Sequence, residues 1–432
     1  MKKILIKNGR IIDPENNMDQ ISDLLISDQK IEKIGKNLEK KNYQIFDAKN
    51  HVVFPGIIDL HAHFREPGRE DAETLETASQ AALAGGICTA CAMPNSGQTL
   101  ENQNAIEFIK NRSSKLDLID ILPIGAISKN LQNETLSEMC EMAKSGAIGF
   151  SDDGRDIQSS NLLLKAFKYA YGNNFIIFSH CEDEGLSDNG VLNEGKISTK
   201  LGLPGISVES EVLAVFKNII LAEKIGTKLH LLHNSTKKTI EIIRSTKKSG
   251  NKNITAEAVI HNCILTEEEC DNFNTLAKIN PPLRTKEDIV EIIKALNDGT
   301  IDTLATDHAP HIEPHKNCPF FDAAFGTIGF ETFFSAVFTF LISKKQILFS
   351  RAIELVSKNP AKILNEKLKG NFSTGSFADI AIFNPKEKWQ FKIKNSFSKG
   401  QNCVWENKNL IGKITATFRK GKLKFKNGRI IK

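Results

Sequence analysis

The sequence predicts an α/β protein, a (β/α)8 barrel of the TIM type carrying a small β-sandwich domain built from the N- and C-terminal segments. Three observations predict it. Eight short apolar runs fall between residues 56 and 308, longer segments of helical period separate them, and both ends of the chain read as short strands. Alternating β and α units imply parallel strands, and eight such units suit a closed barrel.

Taken in order, the first fifty or so residues give KKILIKNGRII, DLLISDQKIEKIG and YQIFDAKNHVVFPG, punctuated by Asn8-Gly9, Asp13-Pro14 and Gly35. The eight barrel runs are GIIDLHAH, GICTACAMP, DILPIGAIS, AIGFSDD, NFIIFSH, KLHLLHNST, NITAEAVI and IDTLATDH. Between them, 73-ETLETASQAALAG-85, 134-ETLSEMCEMAKSG-146 and 210-SEVLAVFKNIILAEKIG-226 space apolar residues by three and four and stop at glycine, as helices do. After a helical 351-RAIELVSKNPAKIL-364 the strand texture returns in SFADIAIFNP, WQFKIK and KITATFRKGKLKFKNGR. The expected division is a barrel over 53–373 and one discontinuous β domain from 1–52 and 374–432.

Composition excludes several classes. With 432 residues, 40% hydrophobic and 25% charged, the chain is ordinary for a soluble globular protein. Lysine and arginine exceed the acids by 57 − 52 = 5, and the excess is scattered, as in 420-KGKLKFKNGR-429, so no nucleic-acid partner is expected. No run approaches the ~20 apolar residues that span a bilayer. The start, MKKILIKNGRIID, has too short an apolar patch for a signal-peptide core, which points to the cytoplasm. The eight cysteines are too thinly spread for a disulfide scaffold. Cys88 and Cys91 form a C-x-x-C, but on a strand they face opposite sides and no second pair completes a zinc site, so both read as reduced thiols.

In such barrels chemistry gathers at the C-terminal ends of the strands. The first strand ends in His61 and His63, the fourth in Asp152-Asp153, the fifth at His180, the sixth at His233, and the eighth at Asp307, followed by His308 and His311. Residues i and i+2 of a strand share a face, so His61 and His63 aim at one point and Arg65 continues the series. A metal with an anion beside it explains all three. Four imidazoles and two carboxylates suit Zn2+ and exceed what one tetrahedral site with an open position needs, so two metals bridged by a carboxylate are expected. Residue type alone does not separate Asp152 from Asp153. It also leaves Arg65 open to a surface salt bridge with Glu66 or Glu70, and Asn280, before Pro281-Pro282, open to a simple turn role. His51, His230, His261 and His315 sit off the rim and read as structural.

The motifs 59-DLHAHFREPG-68, 93-MPN-95, 150-FSDDG-154, 180-HCEDEGL-186, 279-INPPLRTKED-288, 306-TDHAPH-311 and 326-GTIGFET-332 resemble the class I dihydroorotases of the cyclic amidohydrolase superfamily, along nearly the whole chain. The resemblance implies that His61, His63 and Asp307 hold one zinc, that His180 and His233 hold a second, and that Asp153 bridges them. It places His63, Arg65, Asn95, Asn280 and His311 on the substrate, with backbone around Phe325 and Gly326. It implies a reversible interconversion of N-carbamoyl-L-aspartate and L-dihydroorotate in pyrimidine (UMP) biosynthesis, with Asp307 moving a proton from the attacking water to the leaving nitrogen. The partners expected are a second copy in a homodimer and aspartate transcarbamoylase. Many superfamily members bridge their metals through a carboxylated lysine; SDDG leaves that task to Asp153. Ile260 and Asn262 stand where the family more often has proline and histidine. The loop 308-HAPHIEPHKNCPFF-321 is expected to act as a mobile cover. Hydantoinases and allantoinases, which lean on the missing lysine, and inactive scaffolds, which have lost the ligands retained here, are the alternatives.

Overall fold

The computed structural model describes residues 3–39 and 43–431; residues 1, 2, 40–42 and 432 of the expected terminal segments lie outside the described residues. The strand Lys3–Asp13 pairs antiparallel with Met18–Ser27, which turns into Lys30–Gly35. It also runs parallel to Gln44–Asp47 and Val52–Pro55. Val52–Pro55, which crosses the expected boundary at 52/53, then pairs antiparallel with Ile380–Gln390, and Asn409–Arg419, Lys422–Lys426 and Arg429–Ile430 follow. Among the described residues these strands hydrogen-bond as one nine-stranded sheet. Ile4, Leu24 and Ile31 from one end of the chain pack in a single cluster with Ile380, Ala416 and Phe418 from the other. WQFKIK does not form a strand of its own: Trp389 and Gln390 end the strand Ile380–Gln390, past an irregularity at Asn384/Lys388 where Pro385 has no N–H for the ladder, and Ile393–Asn395 is a 3-10 turn.

The eight apolar runs become parallel strands: Ile57–Ala62, Ile87–Ala92, Asp120–Pro123 with its continuation Gly125–Ala126, Phe150–Ser151, Ile176–Ser179, Lys228–Leu231, Ile254–Val259 and Thr303–Ala305. The first three pair in order, and the continuation of the third pairs with the fourth. The fourth to eighth follow in sequence. A parallel bridge from Ala62 to His308, with the His63 N–H donating to the His308 carbonyl at 2.8 Å, links the eighth run to the first. The fold is mixed α/β, with a sheet drawn from both ends of the chain.

Helices follow local signals in most places. Thr74 caps Leu75–Ala84 in a reciprocal pair with Thr77, and Ser207 caps Val208–Ile225, which stops at Gly226 with φ 88°. The stretch 134–146 departs from expectation: only Met139–Ser145 is helical. Its first residues pair instead with the chain after the third strand, Lys129 N–H donating to the Thr135 carbonyl and Ser137 N–H to the Ile127 carbonyl. Tertiary pairing here overrides apolar periodicity. All eight cysteines are free, Cys88 and Cys91 being buried with thiol pKa values pushed well up by burial. No helix among the described residues is long and apolar enough to cross a membrane.

Gly85 joins the first of these helices to the second parallel strand, and a Cβ there would lie 2.0 Å from the Phe330 carbonyl oxygen. Backbone cannot yield as a side chain does. Gly85→Ala is therefore expected to lower the unfolding free energy by about 1–3 kcal/mol, read from urea denaturation.

Candidate active site

The twelve residues singled out above meet at one cavity of about 230 Å³, lined by His61, His63, Arg65, Asn95, Asp153, His180, His233, Asn280, Asp307, His311, Phe325 and Gly326, with Gly154 and Ala309. The parallel strands deliver most of them from their C-terminal ends. Arg65 arrives differently. Its φ of 61° turns the chain out of the strand line, so the guanidinium reaches the cavity by a bend and its Nε–H donates to the Pro310 carbonyl at 3.1 Å. Asp307 and His233 also hold left-handed backbones, φ 45° and 31°, which non-glycine residues adopt at a cost and chiefly at functional sites.

The orientation of the imidazoles is set from behind. His61 Nδ1–H donates to Glu257 Oε1 at 2.8 Å, His63 Nδ1–H to Asn95 Oδ1 at 2.8 Å, and His180 Nε2–H to Glu182 Oε2 at 2.9 Å. Each bond fixes one ring nitrogen as the donor and turns the other inward, where His63 Nε2 meets Asp307 and His180 Nδ1 meets His233 Nε2 at 2.8 Å. His61 Nε2 then lies 3.4 Å from Asp153 and 3.6 Å from Asp307, while His63 Nε2 lies 3.0 Å from Asp307. His180 Nδ1 is 3.4 Å and His233 Nε2 3.8 Å from Asp153 Oδ1. Three imidazole nitrogens thus surround Asp153 Oδ1, and this buried oxygen accepts no hydrogen bond.

Charge explains the spacing. Burial opposes charge on His61, but Asp153 and Asp307 outweigh it and raise its pKa well above the ordinary value. Burial likewise opposes charge on His180, yet Asp153 and Glu182 lift it to about 10. His233 moves the other way, lowered by burial and by the neighbouring His180 charge. The two acids therefore attract positive charge into the cluster, and a divalent cation provides it while displacing the protons. Two sets, His61–His63–Asp307 and His61–Asp153–His233, hold ligand atoms close enough together to bind a metal ion. The buried unsatisfied Asp153 oxygen and the inward lone pairs fit that group.

The two aspartates separate. Asp152 accepts from the Ile127 and Ser128 N–H groups at 2.8 and 2.9 Å and is structural; Asp153 faces the cavity. Arg65 makes no ion pair among the described residues. Glu66 instead accepts from Leu75 N–H and Glu70 from Gly68 N–H, so the salt-bridge alternative is not what forms. Asn280 both lines the cavity and donates to Glu182 at 2.7 Å. Asn262 donates to the Pro281 and Pro282 carbonyls, supporting the Asn280 turn from behind. His311 Nε2–H donates to the Phe325 carbonyl at 2.8 Å, and burial with Arg65 nearby pushes its pKa down to about 2, leaving a neutral ring whose Nδ1 has no partner. His308 stacks on Phe330 and contacts Glu73, a structural role. The loop after it is stapled by two buried ammonium groups: Lys278 donates to the Phe320 and Phe321 carbonyls, and Lys316 to those of Thr275 and Lys278.

Residue reading missed Glu257 and Glu182. Glu257, fully buried, also meets His230 Nε2 at 3.2 Å and the His233 N–H at 3.3 Å. Burial raises its pKa, but His230 and His61 outweigh that and bring it to about 2, so it stays anionic. The signal was a lone charge inside the apolar run NITAEAVI.

Similarity to known proteins agrees with this geometry. The chain has the fold of an L-hydantoinase (dihydropyrimidinase) from Arthrobacter aurescens, TM-score 0.89 and 22% identity over 100% of this chain and 98% of that one. A D-hydantoinase structure gives 0.86 and 23%, over 99% and 96%. An α/β hydantoinase fold with a buried histidine–aspartate cluster able to hold metal defines the class. The family model described as Dihydro-orotase-like matches residues 50–239. A dihydroorotase of Thermoanaerobacter sp. (strain X514) is 40% identical over 99% of this chain and 98% of its own, and one of Caldicellulosiruptor saccharolyticus 41% over 98% and 99%. The chain belongs to the dihydroorotase family.

Replacing Glu257 by glutamine forces either His61 or His230 to face an amide N–H. Glu257→Gln is expected to weaken divalent-metal binding by about 10–100-fold, measured as metal retained on dialysis against graded chelator.

Proposed function

We propose that this protein is a zinc-dependent dihydroorotase that interconverts N-carbamoyl-L-aspartate and L-dihydroorotate for pyrimidine synthesis in the cytoplasm. The observation that carries the reading is a guanidinium with no ion-pair partner among the described residues, Arg65, opening onto the same cavity as five imidazoles and two carboxylates. That is a seat for an anionic ligand beside a seat for cations. In this reading the parallel strands from Ile57 onward close as a (β/α)8 barrel, and the strands of both chain ends, Val52–Pro55 included, form the small β-sandwich domain.

His61, His63 and Asp307 would hold one zinc, His180 and His233 the second, and Asp153 both. Bound there, zinc supplies a Lewis acid for the amide carbonyl and acidifies water toward neutral pH. The remaining work belongs to the chain. Arg65 presents a planar fork matched to the substrate carboxylate. Asn95, Asn280 and neutral His311, with the Phe325–Gly326 backbone, border the space for the rest of the ring and exclude water from it. Burial would raise the Asp307 pKa, but His61 and His63 outweigh it and hold the carboxylate well below its usual range. It is therefore unprotonated at neutral pH, ready to accept a proton on ring opening and return it to the departing nitrogen. No lysine lines the cavity among the described residues, so Asp153 would be the carboxylate that takes the place of a carboxylated lysine.

Asp307→Asn is expected to lose ring-opening rate by about 10²–10⁴-fold while keeping most of its zinc; near-normal turnover would refute the proton role. Arg65→Met should lower kcat/KM on L-dihydroorotate by about 10²-fold, mainly through KM, as expected when a charge-assisted pair is lost. Wild-type turnover of hydantoin or allantoin at a rate rivalling L-dihydroorotate would instead place the chain with the other cyclic amidases.

A further inference from the structure

His230 is a polar side chain in an apolar place. It lies in register with Phe178 and Thr255 on the neighbouring parallel strands, and it is fully buried. Its ring stands edge-on to Phe178, which packs with Leu60, Cys91 and Leu232. A leucine would fill that space without taking two ring nitrogens out of water, so packing alone does not call for an imidazole. Both nitrogens are engaged: Nδ1 meets the Thr255 hydroxyl at 2.8 Å and Nε2 meets Glu257 Oε2 at 3.2 Å. The other Glu257 oxygen accepts from His61 Nδ1–H at 2.8 Å. These bonds form one line, Thr255–His230–Glu257–His61, that ends at the cation seat. Its far end, Thr255, borders a separate cleft with Lys228 and Asn253, at the N-terminal ends of the strands.

We propose that His230 is a positioning residue for the cation seat, acting through Glu257 to keep the ring proton of His61 on Nδ1. This role rests on the metal reading of the cavity. His61 can give a metal its Nε2 lone pair only while Nδ1 holds the proton, and Nδ1 holds it because an acceptor faces it. Glu257 is that acceptor. A carboxylate bonded through one oxygen alone is free to turn about its terminal bond. The His230 Nε2–H fixes the second oxygen, so the first stays aimed at His61. That first oxygen also takes the His233 N–H at 3.3 Å, so the strand end carrying a second imidazole of the cluster depends on the same orientation. Without the His230 donor, Oε2 is buried with no partner, the carboxylate is unheld, and His61 loses the contact that decides its tautomer. Thr255 does for His230 what His230 does for Glu257: its hydroxyl holds Nδ1, which keeps Nε2 facing the carboxylate.

The test is the zinc retained by the purified full-length protein on dialysis against graded chelator, a measure that needs no turnover. His230→Leu should weaken zinc binding by about 10–100-fold while circular dichroism shows the fold intact. His230→Gln, whose side-chain amide N–H reaches Glu257 from the same place, should recover most of that loss. Adding His230→Leu to Glu257→Gln should weaken binding no further than Glu257→Gln alone, since one acts through the other. Unchanged binding in His230→Leu, no recovery in His230→Gln, or losses that add in the double variant overturns the proposal. If His230→Leu does not fold, Thr255→Val takes its place, with zinc binding expected to be about two- to tenfold weaker. Unchanged binding there overturns the proposal equally. A wild type that takes up no zinc overturns the metal reading and this role with it, whereas a zinc-binding wild type with an indifferent His230→Leu overturns this role alone.

Discussion

A single buried carboxylate oxygen organises the centre of this molecule. Asp153 Oδ1 is shielded from water and accepts no hydrogen bond, yet the nitrogens of His61, His180 and His233 surround it at 3.4–3.8 Å. An anion left in that state is costly, and a cation among those nitrogens removes the cost. Much of the nearby structure keeps the nitrogens where they are. Glu257 anchors two histidines from different strands and the backbone of a third, Glu182 anchors His180 and Asn280 together, and Asn95 spans His63 and Asp153.

The two functions of the cavity therefore share supports. Asn95 is placed toward substrate by sequence resemblance, but its amide also donates to the Asp153 carboxylate while its oxygen holds His63. Asn280 is tied through Glu182 to His180. A disturbance at Asn95 or Asn280 reaches the histidine–aspartate cluster through one shared side chain. The opposite wall is supported by different means. Lys278 and Lys316 give their ammonium groups to backbone carbonyls around the 308–326 loop, and the Gly326 N–H returns to the Lys278 carbonyl.

The strand ends were legible because the parallel architecture turns chain position into spatial position: an apolar run ending in histidine or aspartate is enough to place that side chain on the rim. What the runs hid was anything depending on a partner far along the chain. Glu257 is separated from His61 by 196 positions and looks like an interruption until the two strands are brought together. Asp152 and Asp153 differ only in which one finds the Ile127 and Ser128 amides. Arg65 seemed to extend the His61–His63 alternation, whereas it leaves the strand at a left-handed residue and enters from the side. The 134–146 segment had helical spacing, but Thr135 and Ser137 found hydrogen-bond partners in the turn after the third parallel strand.

Val52–Pro55 sits between strands made first and strands made last. Its antiparallel partner, beginning at Ile380, follows Pro55 by 380 − 55 = 325 residues. At ribosomal speeds of about 5–20 residues per second, the nascent strand waits some tens of seconds with one row of amides and carbonyls unpaired. An open edge of that kind is a template for wrong pairing. Until the chain's end emerges, its own neighbour Lys3–Asp13 and the growing parallel core are all that shield it, which makes the finishing of this sheet the step at which birth of the molecule is most exposed to error.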